Sequence, residues 1–164
     1  MKRFWTVFLL LILQGVGFGQ TWVSPSTTDR GVRLAEKYGA VGDSSTYSGA
    51  AINRAIASLS RGTVELGAGV FVIEETIIIR ENIELVGQGP ERTKLVLANG
   101  VNDDVIRTAD FSSQTGQNIW TDAEGIHRNF SVRGMTIDGN RANNSAGYGV
   151  RIYGKGYILS DLII

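Results

Sequence analysis

The sequence predicts an all-β solenoid closed at its N-terminal end by one short α-helix. Three observations carry this prediction. A single amphipathic helix pattern, over residues 47–60, precedes strand-like segments that run to the end. The hydrophobic period changes from 3.6 to 2 after Gly62. The strand patterns also echo one another. "NFSVRGMTI" (129–137) overlays "GYILSDLII" (156–164) at a shift of 27, and "ENIELVG" (81–87) matches the start of that pattern 47 positions earlier, which reads as about two steps of ~23. Steps of that size suit the coils of a β-solenoid.

The first nineteen residues have another purpose. Lys2 and Arg3 precede a mainly apolar run over 4–13, and Gly17-Phe18-Gly19 forms a small-x-small cleavage pattern before Gln20. This is the outline of a secretory signal peptide. The run falls short of the roughly 20 residues a membrane span needs. Residues 20–32 form an unpatterned leader. The mature chain is thus expected to be secreted, periplasmic or on the cell surface, without a membrane partner after cleavage.

The 164 residues suit one domain. Charge is balanced, with 16 basic and 16 acidic side chains and no Lys/Arg run, so no nucleic-acid partner is expected. No cysteine is present, so an exported fold must rely on its core and its ladders rather than on disulfides. The sequence carries no signal for oligomeric state.

From residue 33 the elements follow in order. Gly39 and Gly42 punctuate a loop, and Ser44, Ser45, Thr46 and Ser48 offer capping oxygens. Ile52, Ala55, Ile56 and Leu59 form one apolar stripe, with Gly62 placed to close the helix. A solenoid end exposes core side chains and open strand edges, and Ile52, Ile56 and Leu59 are expected to plug it. Strand patterns follow at 64–66, 71–73, 77–79, 83–85, 95–97, 105–106, 130–132, 135–137, 149–153 and 157–164. The pattern lapses between Arg107 and Gly125, in a polar loop carrying Trp120. Asn99-Gly100 and Asp138-Gly139 are hairpin-type dipeptides, so an antiparallel sandwich stays open on these residues alone.

Four segments in order, "YGAVGDSSTYSGAAINRAI", "RGTVELGAGVFVI", "IELVGQGPERTKLVL" and "MTIDGNRANNSAGYGVRIYG", resemble the opening of the pectate lyase superfamily. That superfamily comprises right-handed parallel β-helix proteins related to polygalacturonases, exopolysaccharide lyases and phage tailspikes. The resemblance covers residues 33–164 and implies an N-terminal cap and first coils of such a helix. The family loop Gly-Asp-Gly-x-Thr-Asp-Asp-Thr is altered: Asp43 and Thr46 are kept, and the Asp pair is lost. Gly67-Ala68-Gly69 stands where Pro-Ala-Gly is usual. The resemblance implies further coils, with catalytic groups in them. It also implies a polysaccharide substrate, by lyase (β-elimination) or glycoside hydrolase chemistry on uronate-containing glycans such as pectin. A non-catalytic glycan-binding or adhesin-like protein is the alternative, because fold alone does not assign function.

On these residues, Asp138 is the candidate catalytic carboxylate, with Arg141, Arg151 and Tyr153 as candidate substrate-binding groups. Asp138-Gly139-Asn140-Arg141 equally suits a plain turn, and Arg151 and Tyr153 equally suit a solvated strand face. Asp103, Asp104, Asp110, Asp122 and Glu124 offer oxygens of the kind Ca²⁺ takes, and Ca²⁺ is the one cofactor the resemblance allows. Their spacing matches no EF-hand loop, so no metal site is assigned and a solvated acidic loop is the simpler reading. His127 is the only histidine and is read as structural. Gly87-Gln88-Gly89 lacks the following helix a dinucleotide loop requires. Asn129 and Asn143 begin sequons that matter only in a glycosylating host. Expression in a secreting bacterial host should yield a mature chain beginning at Gln20, read by N-terminal sequencing; retention of Met1 would contradict the export reading.

Overall fold

The computed structural model describes residues 30–108 and 127–164. The segment read as a signal peptide, most of the segment read as a leader, and Asp110, Trp120, Asp122 and Glu124 lie outside the described residues. Strands β1 (Arg30–Leu34) and β2 (Asp43–Tyr47) flank a 3-10 turn, Ala35–Tyr38, and helix α1 spans Gly49–Ala57. The next coil contains β3 (Arg61–Glu65), β4 (Gly69–Ile73) and β5 (Ile77–Ile79). A second contains β6 (Ile83–Val86), β7 (Thr93–Leu97) and β8 (Ile106–Thr108). Then come β9 (His127–Arg128), β10 (Ser131–Asp138), β11 (Val150–Arg151), β12 (Gly154–Lys155) and β13 (Ile158–Ile163).

Every strand pairing among the described residues is parallel. One column stacks β1, β3, β6, the first half of β10 and β13. A second stacks β2, β4, β7 and the last half of β10. A third stacks β5, β8 and β11. The fold is a parallel β-helix, and the sandwich alternative falls because neither Asn99-Gly100 nor Asp138-Gly139 joins antiparallel strands.

The internal echo reports real coil register. Ser131 faces Ile158, the shift of 27 read from sequence. Glu84 faces Ser131 directly, so the shift of 47 is one long coil rather than two short ones. The error has a physical cause. An insertion outside the strands leaves the pairing intact while lengthening the coil, and periodicity alone does not separate the two cases.

Because these strands hold their register from rung to rung, inward apolar side chains stack on one another along the axis. Val64, Leu85 and Val132 lie over one another, as do Phe71, Leu95 and Ile137, and all six are buried. At roughly 1.5–3 kcal/mol for each large apolar side chain removed from water, these stacks supply the main driving force. The last strand is different: Ile158, Leu159 and Ile163 are exposed.

The helix plugs the N-terminal end as its stripe predicts, with Ile52, Ala55, Ile56 and Leu59 all buried. Its ends are tied differently from the sequence reading. Ser48 sits at the N-cap, but its hydroxyl bonds the Val41 and Thr46 backbone and does not cap the helix. Glu74 does so instead. Its carboxylate accepts the Gly49 N–H at 2.8 Å and the Ala50 N–H at 3.1 Å, where the helix dipole favours negative charge. Gly62 does not close the helix; Ser58 does, and Arg80 Nη2 donates to the Leu59 carbonyl at 2.9 Å. Gly62 lies within β3 at φ +141°, where a Cβ would collide with the Gly31 carbonyl oxygen. Asn53 grips the sheet edge, donating to the Thr76 carbonyl and accepting the Ile78 N–H. Glu74→Ala should therefore lower unfolding stability by about 1–2 kcal/mol in denaturant titration, the scale of a lost charged cap; an unchanged midpoint would refute the capping role.

Candidate functional site

The first column bends into the second at one recurrent point. In β10 the bend is Gly134, at φ +70°, and in β13 it is Asp161, at φ +52°. A Cβ on Gly134 would lie 2.8 Å from the Gly87 carbonyl oxygen, so coils approach there backbone to backbone. Small residues at the bend leave a trough that runs along the solenoid axis.

Two adjoining depressions make up this trough. One, of about 520 Å³, reaches from Leu34 and Glu36 across Glu65–Gly67 to Val86–Gln88. The other, of about 410 Å³, continues from Gly87–Gly89 across Arg133 and Gly134 to Ser160 and Asp161. They share Gly87 and Gln88. Five successive rungs contribute, a span of roughly 19 Å at ~4.8 Å per rung. An open groove of that length suits an extended polymer better than a compact metabolite.

Its wall is a charged ladder on the outer face of the first column. Glu84 Oε1 accepts Arg133 Nε at 2.6 Å and the Ser131 hydroxyl at 3.2 Å, and Oε2 accepts the Thr63 hydroxyl at 3.1 Å. Arg133, then these hydroxyls, hold the Glu84 carboxyl below its usual range against partial desolvation. Arg133 is raised in return, with Glu84 first and Glu65 adding. Glu36 is tied down by accepting the Gly67 N–H at 2.6 Å. Arg133 is the trough's cation, with its side chain 47 % exposed.

Sequence reasoning singles out none of Glu36, Glu65, Glu84 or Arg133. The available signal is the coil overlay itself, which puts Gly87, Gly134 and Asp161 at one position and Glu84 over Ser131. Reading outward positions across that overlay, rather than along each strand, exposes the ladder.

The sequence candidates fall on other faces. Asp138 ends β10 in the second column, where its carboxylate pairs with Lys94 at 2.8 Å and accepts the Asn140 N–H at 2.8 Å. Lys94 first, then that N–H, keep it below the ordinary range. Asn140, Asn143 and Asn144 bond one another and the neighbouring turn, so the segment is a turn held by amides. Arg141 is exposed on that turn. Arg151 lies in the third column, with Nη2 at 3.1 Å from Asp104 Oδ1 and its guanidinium 4.4 Å from the Tyr148 ring centre. Tyr153 is half-buried, and its N–H bonds the Thr108 hydroxyl. The structure thus separates Asp138 from Arg151 and Tyr153 by column, and none of them lines the trough.

The acidic set proposed for Ca²⁺ is engaged otherwise where it is described. Asp103 pairs with Arg107, and Asp104 with Arg151 and the Tyr148 N–H. Among the described residues, no three His, Cys, Asp or Glu side chains converge to hold a metal. Asp103 and Asp104 are thus engaged by arginines.

With this geometry in view, a sequence model for the family described as rhamnogalacturonase A/epimerase, pectate lyase-like, matches residues 32–157. The chain belongs to that family. The fold is accordingly its right-handed parallel β-helix. Among solved structures, the chain is similar to the A-module of the mannuronan C-5 epimerase AlgE4 from Azotobacter vinelandii. That match has a TM-score of 0.59 at 23 % identity and covers 82 % of this chain and 37 % of the other. The AlgE6 A-module from the same organism gives 0.59 at 22 %, covering 79 % and 36 %. ORF18 of Geobacillus virus E2 gives 0.58 at 22 %, covering 80 % and 25 %. The chain therefore spans between a quarter and two fifths of the solved chains it matches. No curated protein sequence matches it.

The loop that departs from the family pattern is held together by the Asp43 it keeps. Asp43 accepts the Ser45 and Thr46 N–H groups and the Thr46 hydroxyl, and these bonds hold its carboxyl far below the usual range. Asp43, Glu84 and Asp138 are all lowered in the folded state. Their contribution is present above the unfolded-state values and is lost as pH falls through the folded ones. The melting temperature should hold at neutral pH and decline as pH drops through 4.5 and then 3.8, the ordinary Glu and Asp values. Glu84→Gln should flatten the upper part of that decline in a calorimetric pH series.

Proposed function

We propose that this chain is part of an exported polysaccharide-active enzyme that acts on uronate-containing glycans, with the glycan lying along the axial trough. The supporting observation is the trough itself: five rungs long, floored by small residues at the bend and carrying Arg133 beside Glu84 and Glu65. Membership of a rhamnogalacturonase/epimerase, pectate lyase-like family supports a polysaccharide as the substrate. Successive sugars along an axial trough would meet successive rungs, and each rung offers outward side chains for hydroxyls and carboxylates.

A hydrolase needs one carboxylic acid that still holds its proton near neutral pH, set opposite a second carboxylate. Glu84, drawn below the usual range by Arg133, is not suited to be that acid. Elimination asks instead for removal of the proton α to the uronate carboxylate, with that carboxylate's charge offset by a cation. Arg133 is suited to the second task, because Glu84 fixes Nε and leaves the guanidinium partly exposed.

A second reading shares that first step. Two of the similar structures are named mannuronan C-5 epimerases, and epimerisation at C5 likewise begins with proton removal. The two reactions part at the second step: elimination breaks the glycosidic bond, and epimerisation returns a proton.

One experiment separates these readings. The protein is incubated with polygalacturonate and with alginate in D₂O. Elimination should give the ultraviolet absorbance of an unsaturated product and shorter chains. Epimerisation gives deuterium at C5 without shortening, and hydrolysis gives shortening without absorbance. Arg133→Gln should reduce turnover about tenfold or more, the scale of a lost charge-assisted contact in the reacting complex. Glycan binding with no chemical change on any uronate polymer would overturn the enzyme reading in favour of a binding protein.

A further inference from the structure

A separate hollow of about 400 Å³ opens between the capping helix and the third column. That volume lies within the range of small-ligand sites. Ile78 and Val101 supply its apolar surface, Asn53 and Glu75 lie on the helix side, and Asp103 and Arg107 lie opposite. It does not share a residue with the trough.

Arg107 is what sets it apart. It stands in register between Ile78 and Arg151 on the outer face of the third column. Its Nη1 is fixed by both Asp103 oxygens, at 3.0 and 3.3 Å, with Asp104 Oδ2 at 3.8 Å. Among the described residues, neither its Nε nor its Nη2 meets a protein acceptor, and the side chain is 29 % exposed. An arginine held by one nitrogen, its other edge meeting no acceptor among the described residues, is ordered in advance for a planar two-oxygen anion. Asp104 is fully buried. It accepts the Tyr148 N–H at 2.9 Å, and it anchors Arg151 one rung beyond.

We propose that this hollow binds one uronic-acid unit, with the sugar carboxylate on the Nε–Nη2 edge of Arg107. The ring's C–H face rests on Ile78 and Val101. Its hydroxyls donate to Asp103 and Glu75, because carboxylates accept from neutral hydroxyls while repelling a second anion. Glu74 also borders the hollow, but its two oxygens are committed to the helix N-terminus. The arrangement selects a ligand with one carboxylate at one end and hydroxyls at the other. The choice of a uronic acid over another hydroxy-acid rests on the reading of the trough as a uronate-glycan site. The hollow would then hold a chain remote from the reacting bond and raise affinity for polymer through a second contact.

The test is calorimetric titration of the full chain with trigalacturonate and with neutral trigalactose. Wild type should bind the acidic trimer, and Arg107→Gln should weaken that binding about tenfold while leaving the neutral trimer unaffected. Ile78→Ser, which leaves the buried pair of Asp104 and Arg151 intact, should weaken both trimers together. A folded Arg107→Gln chain with wild-type affinity for trigalacturonate overturns the proposal, as does a wild-type chain that binds neither trimer. Turnover of polygalacturonate by these variants and by Arg133→Gln separates this from failure of the enzyme reading. Loss of turnover in Arg133→Gln with unchanged binding in Arg107→Gln leaves the trough reading standing and removes the hollow. Arg107-dependent binding by a chain that transforms no uronate polymer does the reverse.

Discussion

Each rung of this solenoid leaves a full row of backbone N–H and C=O groups unpaired until the next rung sits on it. That ladder fixes the spacing at roughly 4.8 Å and fixes the register, and nearly everything else depends on it. Residues in register must share an environment. Inside, this forces the aliphatic stacks through Val64, Leu85 and Val132 and through Phe71, Leu95 and Ile137. At the bend it forces small or left-handed residues, because Gly87 and Gly134 meet through their backbones. At the N-terminal end it forces a cover, since the first rung has a neighbour on one side only.

The cover shows how the ladder recruits distant sequence. α1 is short and would be marginal alone. Its N-terminus is held by Glu74, its C-terminal carbonyls by Arg80, and its middle by Asn53 reaching to the edge of β5. Two of those three groups come from the coil it caps. Cap and first coil therefore stabilise each other, and neither is a self-sufficient unit.

That dependence also explains which parts are legible in the sequence. The class of fold, the plug residues Ile52, Ile56 and Leu59, and the register shift of 27 all rest on hydrophobic phase, which is local and repeats. The capping of the helix by Glu74 is invisible there, because its partners lie about two dozen positions away and a serine-rich stretch offers a nearer answer. The function assigned to Gly62 fails for a related reason. Its neighbour is Gly31 of another rung, and the local pattern around a helix end looks the same. The trough escapes sequence reading because its residues share a coil position rather than a segment.

Register carries a further consequence for telling structural charges from functional ones. Charges one rung apart interact by about 1 kcal/mol even in water and by more where partly shielded. Outward columns therefore pair acids with bases as a matter of stability. Glu84 with Arg133, Lys94 with Asp138, and Asp104 with Arg151 all meet that need. Asp138 is accounted for by its lysine and its turn, and nothing in its surroundings exceeds what register demands. The informative groups are those with bonding capacity left over once the ladder is neutral. Arg107 is one, fixed by Asp103 through a single nitrogen, with an edge that meets no acceptor among the described residues. Arg133 is another, anchored through Nε while its charge faces the trough. A chain with balanced charge over its full sequence can in this way still present local cationic points. Balanced composition, which argues against a polyanionic nucleic acid, is fully compatible with an acidic glycan recognised one carboxylate at a time.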